Sequence, residues 1–272
     1  MKKKFLGLIC LLYALIITFV SRYNILGNFL APQMHIYIKS TLYILIIMGV
    51  VIFYDEHNAY KFKISDLVLI LPLIMLIVAG DGRLTTNLSN NRNLNLNTKT
   101  STKITKKDSS KENSLKEVEK NIKDGKYDFT NVDFPVINET YYDLANYLTY
   151  IDETNKYIGK TIKVRGFATK TGTYLPKGHF LLGKYGVSCC AADAGLVGFI
   201  VKEDNHRIKD GSWYEIEGVF YKTKDYAGYD IMAVKIVNIK EINGDDEEIY
   251  VYPCYSYDDG LCSELSKYNF EY

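Results

Sequence analysis

Cysteine, proline, histidine and tryptophan are scarce in this chain, and each scarcity removes a class of protein. The 272 residues hold Cys 5, Pro 5, His 4 and Trp 1. So few cysteines in so long a chain exclude a disulfide-built secreted scaffold. There is no Cys-x-x-Cys pair, and no Gly-rich phosphate loop of the kind that cradles a nucleotide. No nucleophile, base and oxyanion donors can be drawn together from the sequence, so an enzyme is not the first expectation. Net charge is also nearly absent, at +1. It is unevenly distributed: Lys and Arg outnumber Asp and Glu over residues 1–130, and the balance reverses over 131–272. An acidic folded half argues against a nucleic-acid partner, whose phosphates demand excess cation.

What the chain does have is apolar runs at one end. Residues 5–20 follow Met1-Lys2-Lys3-Lys4 and resemble a secretory signal, but Val20-Ser21-Arg22-Tyr23 is no small-x-small cleavage site and further apolar runs follow. Cys10 lies too close to the start for a lipoprotein signal and reads as a membrane-embedded residue. Runs at 36–54 and 64–79 complete an anchor over residues 1–80 of about three transmembrane helices in the lipid bilayer. Lys2 to Lys4, Lys61 and Lys63 are expected on the cytoplasmic side, and the first loop, with Arg22 and His35, on the other. With three spans the protein is a multi-pass cell-membrane protein, and everything after residue 79 is extracytoplasmic.

Residues 81–135, rich in Asn, Ser, Thr and Lys, read as a polar flexible linker, with a short helix at 114–123 begun by the Ser114-Leu115-Lys116-Glu117 capping pattern. A helix at 141–149 then precedes five strand-like segments at 161–168, 179–187, 196–202, 213–220 and 231–242, rich in β-branched and aromatic residues. The fold class is therefore N-terminal transmembrane α-helices plus a mainly β C-terminal domain at 136–252. Strands that end or bend at glycine suit a five-stranded barrel of the OB type, with residues 253–272 as a tail. Trp213 fits barrel closure, and the acidic run Asp245-Asp246-Glu247-Glu248 a solvated surface.

The one chemically distinctive segment is Ser188-Cys189-Cys190-Ala191-Ala192-Asp193-Ala194, between the second and third strand segments. Three readings of the cysteine pair stand side by side. One thiol is a small core residue and the other a disulfide partner, with Cys254 or Cys262 as its mate. Alternatively, Cys189, Cys190 and Asp193 hold zinc or another divalent metal, with His179 or His206 as weaker candidate ligands. Thirdly, the pair performs thiol–disulfide chemistry, although no basic cluster lies nearby to lower a thiol pKa. Asp193 equally suits a backbone-capping role in the turn, and His179 an inert position at a strand start.

The Cys-Cys-Ala-Ala-Asp-Ala run, the Tyr157-Ile158-Gly159-Lys160-Thr161-Ile162-Lys163-Val164-Arg165-Gly166 phrase, Trp213-Tyr214-Glu215-Ile216-Glu217-Gly218 and Tyr250-Val251-Tyr252-Pro253 together resemble the bacterial YcgQ-like family of permease subunits. That resemblance implies an apolar N-terminal region, a polar spacer and this C-terminal domain. It also implies a partner, a larger polytopic membrane permease. Two departures stand out. Lys184-Tyr185 occupies a place where the family tends to have Arg-Phe, and Ala31-Pro32-Gln33-Met34-His35 has its Pro and His in altered order. The functional expectation is a non-enzymatic accessory subunit of a permease, with a membrane-anchored thiol-redox or metal-dependent enzyme as the alternative.

Overall fold

The computed structural model describes residues 2–23, 25–54, 71, 111–149, 156–170, 175–204, 207–226, 228–254 and 265. The apolar run at 64–79 apart from residue 71, the first part of the linker, His206 and Cys262 lie outside the described residues. The chain divides into two compact units, Met1–Leu84 with Cys189–Asp193, and Thr85–Ser188 with Ala194–Tyr272.

In the first unit, α1 (Lys2–Arg22) and α2 (His35–Tyr54) are joined by two 3-10 turns, Ile25–Asn28 and Pro32–Met34. The stretch Pro32–Tyr54 is long and apolar enough to cross a membrane, and Gly7–Arg22 is a shorter apolar helix. The helices run antiparallel and meet at glycines. A Cβ on Gly7 would lie 3.0 Å from the Gly49 carbonyl oxygen, and one on Gly49 would meet Leu11 at the same distance. Small residues bring the backbones together where lipid gives no hydrophobic drive for association. Leu8, Leu15, Ile36, Tyr43, Ile47 and Val51 point outward, an apolar exterior that a bilayer would cover.

The second unit is a closed barrel. Its strands are β1 (Phe134–Pro135), β2 (Thr161–Thr169), β3 (His179–Gly186), β4 (Gly195–Lys202), β5 (Trp213–Lys224), β6 (Asp230–Ile242) and β7 (Tyr250–Val251). The order is β1-β2-β5-β6-β4-β3-β7, and a further β2–β3 pairing closes the ring. The β4–β6 pair is parallel and the other ring pairs antiparallel, the connectivity of an OB-type Greek-key barrel. All five expected strands are present, with the last two lengthened at one end and short strands added on either side of the ring.

Alternation along β2 and β5 explains how they pair. Ile162, Val164 and Ile216 are buried in the core, while Lys163 stands opposite Glu217 and Arg165 opposite Glu215 on the outside. Those pairs are ion pairs at 2.7 and 2.6 Å, and Arg165 also reaches Glu247 at 3.1 Å. Charge on this face is thus matched strand by strand. Glycine makes closure sterically allowed. A Cβ on Gly198 would sit 2.3 Å from the Leu182 carbonyl oxygen, and one on Gly166 would lie 2.8 Å from the Gly183 carbonyl oxygen and 2.9 Å from the Tyr141 hydroxyl.

Two helices cover the barrel. In α4 (Asn138–Thr149), Tyr141, Leu144, Ala145 and Leu148 enter the core, and the Tyr141 hydroxyl donates to the Leu182 carbonyl at 3.1 Å. In α3 (Lys111–Lys123), Val118 is buried and Glu119 bonds Lys235 at 3.0 Å and Lys202 at 3.3 Å. The segment expected to be a flexible linker therefore includes a docked helix, and β1 pairs with β2 from residue 134. The helix expected at 114–123 is present; its docking, through buried Val118 and Ser114 and a Glu119 carboxylate shared by two lysines, is too sparse a signal to stand out against the polar composition around it.

Two stability predictions follow from this packing. Gly198→Ala should destabilise the domain by about 1–3 kcal/mol or more, because the added methyl meets backbone and not a flexible side chain; thermal unfolding of the purified protein measures it. Burial pushes the Asp143 carboxyl from 3.8 up to about 6, despite the hydrogen bond it accepts from the Cys254 amide at 2.9 Å. The folded state thus holds that proton more tightly than the unfolded chain. Stability associated with it is full below about pH 4 and is lost as pH rises through about 6. Asp143→Asn, which can still accept from the amide, should raise the melting temperature at pH 7–8 and lose that advantage near pH 4.

Candidate metal site

The connection between β3 and β4 is short and turns sharply. Val187 is tied to Val251 by its amide, and a 3-10 turn at Ala191–Asp193 returns the chain to β4. Asp193 fixes this turn by accepting the Cys189 amide at 2.8 Å. The Asp193 amide in turn donates to the Cys190 carbonyl at 3.0 Å. The backbone-capping role expected of Asp193 is therefore present, and it does not remove the carboxylate from the thiols. One Sγ of each cysteine and one Asp193 carboxylate oxygen lie within 4.8 Å of one another.

Both thiols are free and 3.6 Å apart, with Cys189 exposed and Cys190 partly so. The Asp193 carboxylate, and next the Cys190 thiol, push the Cys189 thiol up to about 11. A thiol with that value is protonated at neutral pH and is a poor nucleophile, which weighs against thiol–disulfide chemistry. Two thiols and a carboxylate converging on one point suit a different chemistry: a divalent metal would displace the thiol protons and be held by two soft sulfurs and one hard oxygen.

The other candidates are placed elsewhere. His179 is half-buried, with Nδ1 3.0 Å from the Lys177 carbonyl and Nε2 2.6 Å from the Tyr221 hydroxyl. The carbonyl requires a proton on Nδ1, so Nε2 accepts from the tyrosine and both nitrogens are engaged. Burial holds its pKa below the ordinary value. Cys254 is disulfide-bonded, and since Cys189 and Cys190 are free, neither is its mate. His206 and Cys262 lie outside the described residues.

Lys184 has a role the sequence did not announce. It is 1% exposed and donates to the Asn138 side-chain oxygen at 2.6 Å, with Glu247 at 3.7 Å and the Tyr141 and Trp213 rings at 5.6 and 5.4 Å from its nitrogen. Burial lowers its pKa, and Glu247 works against that shift. The neighbouring Tyr185 is buried against Phe167 and Tyr250. Position 184 thus anchors the start of α4 to β3 through the Lys184–Asn138 hydrogen bond. A buried lysine is unexpected from composition, and only its place in an otherwise apolar strand could have signalled it.

A closed OB-type barrel with a Cys-Cys-x-x-Asp turn, on a chain that also carries a membrane-length apolar helix, defines a membrane-associated barrel protein. The model of the DUF1980 C-terminal domain matches residues 104–253, more than half of the chain, and the chain belongs to that family. It is also 32% identical over 71 residues to the UPF0703 protein YcgQ of Bacillus subtilis (strain 168), a stretch covering 26% of this chain and 25% of that protein. The alignment thus spans about a quarter of the curated relative.

The thiol assignment is directly checkable. Alkylation of the denatured, unreduced protein should label Cys10, Cys189 and Cys190 while leaving Cys254 protected until a reductant is added. Mass spectrometry of the labelled peptides reads the pattern.

Proposed function

We propose that the protein is a non-enzymatic accessory subunit of a polytopic membrane permease, whose barrel domain binds zinc or another divalent metal through Cys189, Cys190 and Asp193. The observation that carries the metal reading is the convergence of three ligand atoms within 4.8 Å on a turn open to solvent. Two thiolates with a carboxylate suit a borderline-soft ion better than calcium or magnesium, which prefer all-oxygen shells. The Asp193 cap already joins the carboxylate to the backbone of Cys189, which lowers the ordering entropy that binding would cost. Family membership and the apolar helices support the subunit reading, as does a barrel exterior whose Lys163 and Arg165 are both neutralised by glutamates rather than offered to phosphate. In this reading the anchor is multi-pass, the barrel is extracytoplasmic, and the site collects or presents metal for the partner.

The test is metal content of the full chain purified in detergent. Wild-type protein loaded with zinc and desalted should retain one ion per chain, and Cys189→Ser/Cys190→Ser should retain none. Equal retention by both would overturn the metal reading. A tagged wild-type chain should co-purify with a polytopic membrane protein; a chain that runs alone from its native membrane would remove the subunit reading.

A further inference from the structure

We infer that the hairpin loop at 29–31 is a positioning element of this site: its backbone holds Cys189 and Cys190 where their sulfurs converge, so that metal binding at the turn and order in the loop strengthen each other. The inference rests on the metal reading above and deepens it, adding a segment that neither spacing nor motif connects to the cysteines.

The convergence of the two thiols is itself what needs a cause. Side chains of adjacent residues in an extended chain point to opposite faces, yet the Cys189 and Cys190 sulfurs are 3.6 Å apart. The backbone must leave the extended form here and be held there. Asp193 holds it from within the turn: its carboxylate accepts the Cys189 amide at 2.8 Å, and its amide donates to the Cys190 carbonyl at 3.0 Å. Two further groups, the Cys189 carbonyl and the Ala191 amide, are held by the hairpin loop. The Ala31 amide donates to the Cys189 carbonyl at 3.1 Å, and the Ala191 amide donates to the Phe29 carbonyl at 2.7 Å, with Leu30 and Cys190 paired between them as an antiparallel bridge. Both backbone polar groups of Cys189 are thus committed, one to Asp193 and one to the loop.

The loop can act as a support because it is itself braced. The Phe29 and Leu30 amides donate to the Leu26 carbonyl at 3.0 and 2.9 Å, and the Ala31 carbonyl accepts the Met34 amide at 2.9 Å. Pro32 locks its own φ at the start of the next 3-10 turn, and Ala31 is completely buried. Cys189–Asp193 accordingly falls in the same compact unit as Met1–Leu84, although β3 and β4 flank it in sequence.

Coupling of this kind is reciprocal. A loop that favours the metal-ready arrangement of the cysteines raises metal affinity, and a metal that fixes that arrangement holds the loop by the same factor. Metal occupancy is thereby felt in the connection between α1 and α2.

Two measurements on the full chain in detergent test this: zinc affinity by competition with a chromophoric chelator, and amide hydrogen exchange of peptides spanning 29–34 and 189–193 with and without zinc. Wild type should bind zinc and exchange more slowly in both peptides when loaded; Cys189→Ser/Cys190→Ser should show neither effect. Ala31→Pro removes the amide donor at a residue whose φ of −62° already suits proline. It should bind zinc at least about fivefold more weakly, the lower end of coupling between linked sites. Gly27→Ala, in the same loop, adds a methyl that meets nothing within 4 Å and should match wild type. The exchange measurement uses wild-type protein and decides the matter if Ala31→Pro folds poorly. If wild type and the double-serine variant bind zinc equally, the metal reading fails and the role of the loop with it. If only the double-serine variant loses zinc, while bound zinc protects 189–193 and leaves exchange over 29–34 unchanged, the site stands and the positioning role of the loop is overturned.

Discussion

Closing five strands into a ring forces backbones nearer than side chains allow, and the barrel domain depends on how that crowding is relieved. Gly166 in β2, Gly183 in β3 and Gly198 in β4 occupy the places where a Cβ would strike the neighbouring strand's backbone. With no side chains there, β2 pairs with β3 at Phe167 opposite Gly183, and β3 pairs with β4 at Gly183 opposite Gly198. The space beside Gly166 is taken by the Tyr141 hydroxyl, which reaches the Leu182 carbonyl and seats α4 over the core. Closure and the seating of Tyr141 thus share one steric requirement.

The cysteine turn inherits its character from that connection. β3 and β4 are paired along their full length, from His179 with Lys202 to Gly186 with Gly195, which fixes both ends of the eight residues between them. Asp193 uses its carboxylate both to cap Cys189 and to face the thiols. The price of that economy is a Cys189 thiol whose pKa the Asp193 carboxylate pushes up. Among the described residues, Glu119 binds α3 to Lys202 and Lys235, and Lys163 and Arg165 pair with Glu215, Glu217 and Glu247 along the barrel wall.

Residue patterns carried much of the fold. Alternation and β-branched content marked all five ring strands, because a strand with one face in a core must repeat every second residue. The apolar length of 36–54 marked α2, since a membrane-crossing helix needs a long run that few soluble helices possess. The Cys-Cys-Ala-Ala-Asp-Ala turn was recognisable because adjacent cysteines are rare in a chain with so few. The capping pattern at Ser114 also marked the helix α3; less legible were its docking through Val118 and Glu119, and Lys184, which is buried among Asn138, Glu247 and two aromatic rings.

By itself, then, the sequence determined an apolar N-terminal anchor, a five-stranded barrel and a cysteine pair between its second and third strands, since these depend on local composition and periodicity. Only the tertiary structure decided which groups meet. It engaged both nitrogens of His179, paired Cys254 away from the cysteine turn, and set Cys189, Cys190 and Asp193 within 4.8 Å. It also paired the Cys189–Ala191 backbone with residues 29–31, more than 150 positions earlier in the chain. Pairings across such separations depend on how the whole chain is packed, and no spacing rule along the sequence encodes them.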